Sequence, residues 1–149
     1  MSISDVLKQE NIALCLEAAS KEEALEKLTE LLYQNGKLND KQAFLEDVLK
    51  REAVSTTGIG NGIAIPHGKS SSVKETTVAI GRLSRETEWE SVDDQPVQLV
   101  VLLAVNDQDK NGVHVRLLSE MARKLASAEN CRQLLEAKTA EEIITVFSK

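Results

Sequence analysis

Three glycines alternate at positions 58, 60 and 62 of a 149-residue chain, inside R-E-A-V-S-T-T-G-I-G-N-G-I-A-I-P-H-G-K (Arg51–Lys69). No other stretch constrains the fold so tightly. Glycine adopts positive φ without a Cβ clash and lets the backbone approach a ligand closely. Successive exposed N–H groups in such a loop are suited to a concave anion-binding nest. The apolar run Ile63–Ile65 follows, then Pro66, His67 and Gly68. Proline fixes its own φ and biases the residue before it towards an extended backbone. The sequence therefore predicts a short buried strand over 63–65 that delivers His67 to its end, with Gly68 leaving room beside the imidazole. A histidine at a strand end, next to a glycine-rich loop, suits phosphoryl chemistry. The same spacing also fits a plain structural turn.

The flanking chain reads as alternating helices and strands. Ile3–Lys8 predicts a short helix and Asn11–Leu16 an apolar strand. Ser20 with Glu23 forms a capping box, and Ala24, Leu25, Leu28, Leu31 and Leu32 then recur at the spacing of a core-facing helix that ends at Gly36. Asn39 or Asp40 caps a second helix with Ala43, Phe44, Val48 and Leu49 inward, running out near Arg51–Glu52. Ser70–Ser72 reads as a polar loop, Thr76–Leu83 as an alternating strand, and the stretch around Trp89 as turns. Val97–Val105 is apolar apart from Gln98, the pattern of a central strand buried on both faces. After a loop over Asn106–Gly112, introduced by Asn111 or Gly112, a helix carries His114, Leu117, Leu118, Met121, Ala122 and Leu125 on one stripe. Two helices close the chain, about Ala128–Ala137 and Thr139–Ser148, the second with a Thr139/Glu142 capping box. Interleaved elements of this kind predict an α/β fold, a mixed sheet with helices on both faces. No repeat or linker divides it, so the chain reads as one domain over 1–149.

Composition narrows the function. The net charge is −6 and no basic patch compensates it, which argues against nucleic acid. Only four aromatic residues (Tyr33, Phe44, Trp89, Phe147) are present, too few for base stacking. No apolar run approaches the roughly 18 residues of a membrane span, and the N-terminus lacks a signal-peptide layout. The default expectation is a cytoplasmic protein. Cys15 and Cys131 lie at opposite ends of the chain with no metal-binding spacing, and are expected as reduced, partly buried thiols.

The chain has two histidines, His67 after the glycine loop and His114 in the first turn of its helix. Neutral imidazole is a competent nucleophile near its ordinary pKa of about 6.5. Attack on a phosphoryl group places charge on equatorial oxygens and calls for oriented donors. Candidates are the Gly58 and Gly60 amides, the hydroxyls of Ser55, Thr56 and Thr57, the Arg51 guanidinium, and His114 at a helix N-terminus. Each has a structural alternative: His114 as a core-edge residue, Arg51 as a solvated helix end. Two histidines are short of ligands for a metal site. Neither G-x-S-x-G nor a P-loop is present, which leaves hydrolase and P-loop readings unsupported.

One resemblance sharpens this. Glu52, six residues, Ile59-Gly60, two residues, then I-A-I-P-H-G resembles the phosphohistidine signature of enzyme IIA domains of the bacterial phosphoenolpyruvate-dependent sugar phosphotransferase system, in their fructose/mannitol/nitrogen-regulatory branch. W-E-S-V-D-D-Q-P-V-Q-L, H-V-R-L-L and A-K-T-A-E-E-I extend the likeness over nearly the whole chain. It implies a three-layer α/β/α sandwich around a mixed parallel and antiparallel sheet. It also implies that His67 is phosphorylated at its tele nitrogen by the phosphohistidine of HPr and passes the group to a cysteine of enzyme IIB. Arg51 and His114 match the family's active-site arginine and second histidine, and neither metal nor nucleotide takes part. The W-E-S-V-D-D-Q-P-V stretch resembles the fructose type; G-I-G-N-G-I-A-I-P-H-G-K and C-R-Q-L resemble the nitrogen-regulatory proteins as well. Thr56 stands where the family's S-T-G usually has its serine, with Ser55 just before it. An apolar rim around His67 is expected, suited to packing on two protein partners in turn.

Overall fold

The computed structural model describes residues 2–109 and 112–149. Asn111, one of the two residues expected to introduce the histidine-bearing helix, lies outside them. The chain runs α1 (Ile3–Val6), β1 (Leu7–Leu16), α2 (Lys21–Gln34), α3 (Lys41–Val54), β2 (Gly58–Gly60), β3 (Ile63–Ala64), β4 (His67–Ser70), β5 (Thr77–Thr87), β6 (Val97–Asn106), α4 (Val113–Leu125), α5 (Ala128–Glu136) and α6 (Ala140–Ser148).

Six strands form one mixed sheet in the order β1-β5-β6-β3-β2, with β4 also paired to β6. β5 and β6 pair antiparallel, whereas β1 on β5, and β3 and β4 on β6, are parallel. Side-chain alternation along the central strand β6 builds two cores. Leu99, Val101, Leu103 and Val105 face α1, α4, α5 and α6, while Val100, Leu102 and Ala104 face α2 and α3. The result is the three-layer α/β/α sandwich with a mixed sheet.

Capping follows chemistry visible in the sequence. Ser20, Asp40 and Thr139 each accept a hydrogen bond from the backbone N–H three residues on. The Glu23 carboxylate reaches back to the Ala19 amide rather than to Ser20. Gly36, at φ +76°, turns the chain out of α2.

Several boundaries differ from expectation. β1 starts at Leu7, because its parallel pairing with β5 begins at Leu7↔Val78, and the short helix expected over Ile3–Lys8 ends at Val6. α3 continues to Val54 and buries Leu45 besides Phe44 and Val48. β5 buries Thr77 and Ala79 as well as Val78 and Ile80, because helices cover both faces of the sheet. Ser70 closes β4, and Ser70 and Ser72 are buried rather than forming a polar loop; the Ser70 hydroxyl accepts from the Ser72 amide. Ala122 is exposed, off the inward stripe of α4. Cys15 is exposed on the edge strand β1, and Cys131 is buried.

Candidate functional site

His67 does not end the strand over 63–65; it begins one. β3 stops at Ala64, the chain steps across Ile65 and Pro66, and β4 starts at His67 in register with Leu103 of β6. The Pro66 carbonyl accepts from the Leu103 amide at 3.0 Å, so proline contributes an acceptor where it has no donor. β3 and β4 thus share one edge of β6, and the step between them presents the imidazole at the surface, half-buried.

Both ring nitrogens of His67 have fixed partners. Nδ1 lies 3.2 Å from the Ile65 carbonyl oxygen and Nε2 lies 3.1 Å from Nε of Arg51. A carbonyl oxygen only accepts and an arginine N–H only donates. The proton therefore resides on Nδ1, and Nε2, the tele nitrogen, carries the lone pair. Burial pushes the His67 pKa below its ordinary value, and the neighbouring Arg51 and His114 charges push it further down, against the Ile65 carbonyl, which favours the imidazolium. Burial and the neighbouring charges thus favour the neutral ring.

Arg51 comes from the last turn of α3, and His114 from the first turn of α4, directly after the left-handed Gly112 at φ +89°. The fold brings Arg51, His67 and His114 around one surface hollow of about 410 Å³. Lys50 and Lys69 add two cations to its wall, against the single carboxylate of Asp47. In a chain of net charge −6, this cluster makes a local anion-attracting field. Val54, 77% exposed, stands on its rim, and Val115, 54% exposed, follows His114. The rim is thus mixed, basic and apolar, rather than apolar throughout. Lys50 and Lys69 escaped the sequence reading; adjacency to Arg51 and a position two residues beyond His67 were the signals available.

The remaining sequence candidates are not brought into this hollow. Ser55 and Thr56 line a neighbouring depression with Lys21, Glu52 and Glu90, and the Ser55 hydroxyl donates to the Arg51 carbonyl. Thr57 is buried, with its hydroxyl donating to Glu52 Oε1 at 2.6 Å and accepting from Trp89 Nε1 at 2.9 Å. The Gly58 amide donates to the Glu90 carbonyl at 3.0 Å, and a Cβ on Gly58 would sit 2.6 Å from that same oxygen. Gly60 faces the Asp93 carboxylate, which accepts from the Asn61 amide at 3.2 Å. The glycine loop does bind an anion, but the anion is the protein's own Asp93. Its compactness locks β2 and β3 beside the segment around Trp89.

The site is thus an imidazole whose unprotonated Nε2 sits under a guanidinium in an open surface hollow of an α/β/α sandwich. A closed small-molecule cleft would look different. The chain belongs to the phosphoenolpyruvate-dependent sugar phosphotransferase system EIIA 2 family, whose model matches residues 5–149. The members of this phosphocarrier family transfer phosphoryl groups. The chain is 39% identical over 149 residues to the fructose-specific EIIABC component of the phosphotransferase system of Bacillus subtilis (strain 168), covering 100% of this chain and 23% of that protein. It thus spans about a quarter of that longer relative. It is 33% identical over 147 residues to the fructose-specific EIIA component of Haloferax volcanii, covering 99% of this chain and 95% of that one. Among solved structures, nitrogen regulatory protein IIA-Ntr from Neisseria meningitidis superposes with a TM-score of 0.89 at 30% identity, over 97% of this chain and 98% of that one.

Proposed function

We propose that this domain is a phosphocarrier of the fructose type, taking a phosphoryl group from phospho-HPr on His67 and passing it to a cysteine of a IIB component. The observation that carries this reading is the pairing of Nδ1–H with the Ile65 carbonyl, which leaves Nε2 as the nucleophile. In the forward step the Nε2 lone pair attacks phosphorus, the P–N bond to the donor histidine breaks, and that imidazole keeps the electron pair. Arg51 Nε–H, which covers the lone pair at rest, moves onto the equatorial oxygens as they gain charge. His114 supplies a further N–H from the first turn of α4. Nδ1–H stays on Ile65 throughout, so neither transfer requires a proton to leave the ring through the protein. In the second step a IIB thiolate displaces Nε2 from phosphorus, and the lone pair returns.

Exchange in both directions requires a site that stabilises the phosphorylated and free states comparably. A solvent-facing hollow with three cations and one carboxylate suits that balance better than an enclosed cage. Among the described residues no helix is long and apolar enough to cross a membrane, in keeping with a domain that works in the cytoplasm, free or tethered to a permease.

The test is intact mass after incubation with phosphoenolpyruvate, enzyme I and HPr. A gain of one acid-labile phosphoryl group, absent in His67→Ala, is expected, and its loss on adding a IIB component would complete the relay. No gain with a competent HPr overturns the reading. A second reading, a nitrogen-regulatory switch whose His67 phosphorylation controls partner binding, is favoured by the superposition on the Neisseria IIA-Ntr structure. That reading predicts phosphorylation by HPr with no discharge to any IIB cysteine.

A further inference from the structure

Behind the hollow lies a buried polar assembly that none of these steps uses. Glu52 and Thr57 are 7% and 4% exposed. They are joined by the 2.6 Å hydrogen bond from the Thr57 hydroxyl to Glu52 Oε1. The other carboxylate oxygen of Glu52 lies 3.4 Å from Lys21 Nζ. That ammonium is 2.6 Å from Glu90 and 5.8 Å from the centroid of the Trp89 ring. Trp89 Nε1–H completes the set by donating to the Thr57 hydroxyl at 2.9 Å. Every polar atom at the centre has a partner, the condition for such a cluster to be rigid. Burying a carboxylate is nevertheless a poor route to stability, since apolar side chains of similar volume serve as well or better. What the cluster supplies is geometry.

Two paths lead from it to the imidazole, one through hydrogen bonds and one through the backbone of α3. Along one, the Thr57 carbonyl accepts from the Ile65 amide at 2.9 Å, and the Ile65 carbonyl accepts from His67 Nδ1 at 3.2 Å. Along the other, Glu52 fixes the last turn of α3, where its neighbour Arg51 reaches His67 Nε2 at 3.1 Å. The two nitrogens of one ring are thus referenced, from opposite sides, to a single buried pair that does not line the hollow.

We propose that Glu52 and Thr57 are positioning residues for His67: clamped together, they fix its Nδ1–H tautomer through Ile65 and hold Arg51 in register with Nε2. The proposal rests on the phosphocarrier reading for its consequence, though not for its geometry. Without the Thr57 hydroxyl, Glu52 and the Trp89 N–H lose their shared partner, and buried polar groups left unpaired drive local rearrangement. The Thr57 carbonyl moves with them, and the Ile65 carbonyl no longer selects one tautomer.

The experiment compares wild type, Thr57→Val and Thr57→Ser by the ring-nitrogen NMR shifts of unphosphorylated His67 in mildly alkaline buffer, alongside the rate of phosphoryl uptake from phospho-HPr. Wild type and Thr57→Ser are expected to show a protonated Nδ1 and an unprotonated Nε2. Thr57→Val is expected to show averaged tautomers and uptake slowed on the order of 10²-fold, the scale of an ångström-sized misplacement. Leu28→Ala, in the core beneath α2, serves as a control: it lowers the melting temperature and leaves the nitrogen pattern alone. A wild-type pattern in Thr57→Val overturns the proposal. Should that variant fail to fold, Trp89→Phe, which removes the indole donor to Thr57 while keeping an aromatic ring beside Lys21, carries the same two readouts, and an unchanged pattern there overturns it equally. Failure of the phosphocarrier reading has a different signature, no uptake by the wild type whatever its tautomer.

Discussion

Arg51 Nε donates to His67 Nε2 at 3.1 Å, across the gap between the last turn of α3 and the first residue of β4. In the phosphocarrier proposal, the guanidinium at rest covers the Nε2 lone pair that would attack phosphorus. On that proposal its planar fork also supplies further N–H donors suited to phosphate oxygens.

Replacing the fork tests this directly. Lysine keeps the charge but not the planar donors that match phosphate oxygens. Arg51→Lys is expected to slow phosphoryl uptake by about 10²-fold, the scale seen on removing one transition-state donor, with the melting temperature unchanged because residue 51 is exposed. Rapid-quench measurement of uptake from phospho-HPr decides it. A rate equal to wild type would remove Arg51 from the mechanism.

His114 lines the same hollow. Its backbone is fixed by the start of α4, and the ring is half-buried at the hollow. His114→Ala is expected to leave the attachment site on His67 intact, as peptide mapping would report, while both transfer steps slow. If transfer to and from His67 kept the wild-type rate, His114 would be structural only.

The pH dependence follows from the neutral ring. His67 titrates below the ordinary 6.5 because burial and the Arg51 and His114 charges disfavour the imidazolium. The unfolded chain therefore takes up this proton more readily than the native one. The corresponding stability is fully present above about pH 6.5 and is lost as pH falls towards the native value. Uptake is expected to persist into mildly acidic buffer, and NMR titration of His67 should give a midpoint below that of a free imidazole. A midpoint at or above it contradicts the burial argument. In Arg51→Ala the midpoint should rise, with burial still holding it below the ordinary value.

Legibility in the sequence followed the range of the interactions. α2 and α6 were readable because their caps and apolar stripes are local, α4 from its stripe, and β6 because a Val/Leu run broken only by Gln98 needs two covered faces. Asn11–Leu16 of β1 was readable from its apolar run, but the extension of the strand back to Leu7 was not, because Leu7 pairs with Val78 of β5, 71 residues away. In the site, the distinctive residues Arg51, His67 and His114 were named from chemistry and resemblance, and the fold gathers them. The glycine loop misled because density of Gly signals close approach without naming what approaches. Here the approaching groups are the Glu90 carbonyl and the Asp93 carboxylate. The buried Glu52–Thr57–Trp89 set was hidden because Trp89 reaches Thr57 from 32 residues further along the chain.

Gly68 offers the last test, since it sets the distance between the two elements that carry Arg51 and His67. A Cβ there would lie 2.9 Å from Val48 Cγ2 and 3.1 Å from Phe44 Cε1, both inward residues of α3. Its φ is not positive, so the clash, not backbone strain, is the whole penalty. Overpacking of this kind costs about 1–3 kcal/mol, and α3 relieves it by moving away from β4, which lengthens the Arg51–His67 contact. Gly68→Ala is thus expected to lower both the melting temperature and the uptake rate. Gly36→Ala makes the comparison clean. That glycine sits at φ +76° with nothing within 4 Å of an added Cβ, far along the chain from the hollow, so the strain lowers stability by roughly 1 kcal/mol and leaves uptake untouched. Equal effects of the two substitutions on uptake would mean that the spacing of α3 and β4 does not govern the site.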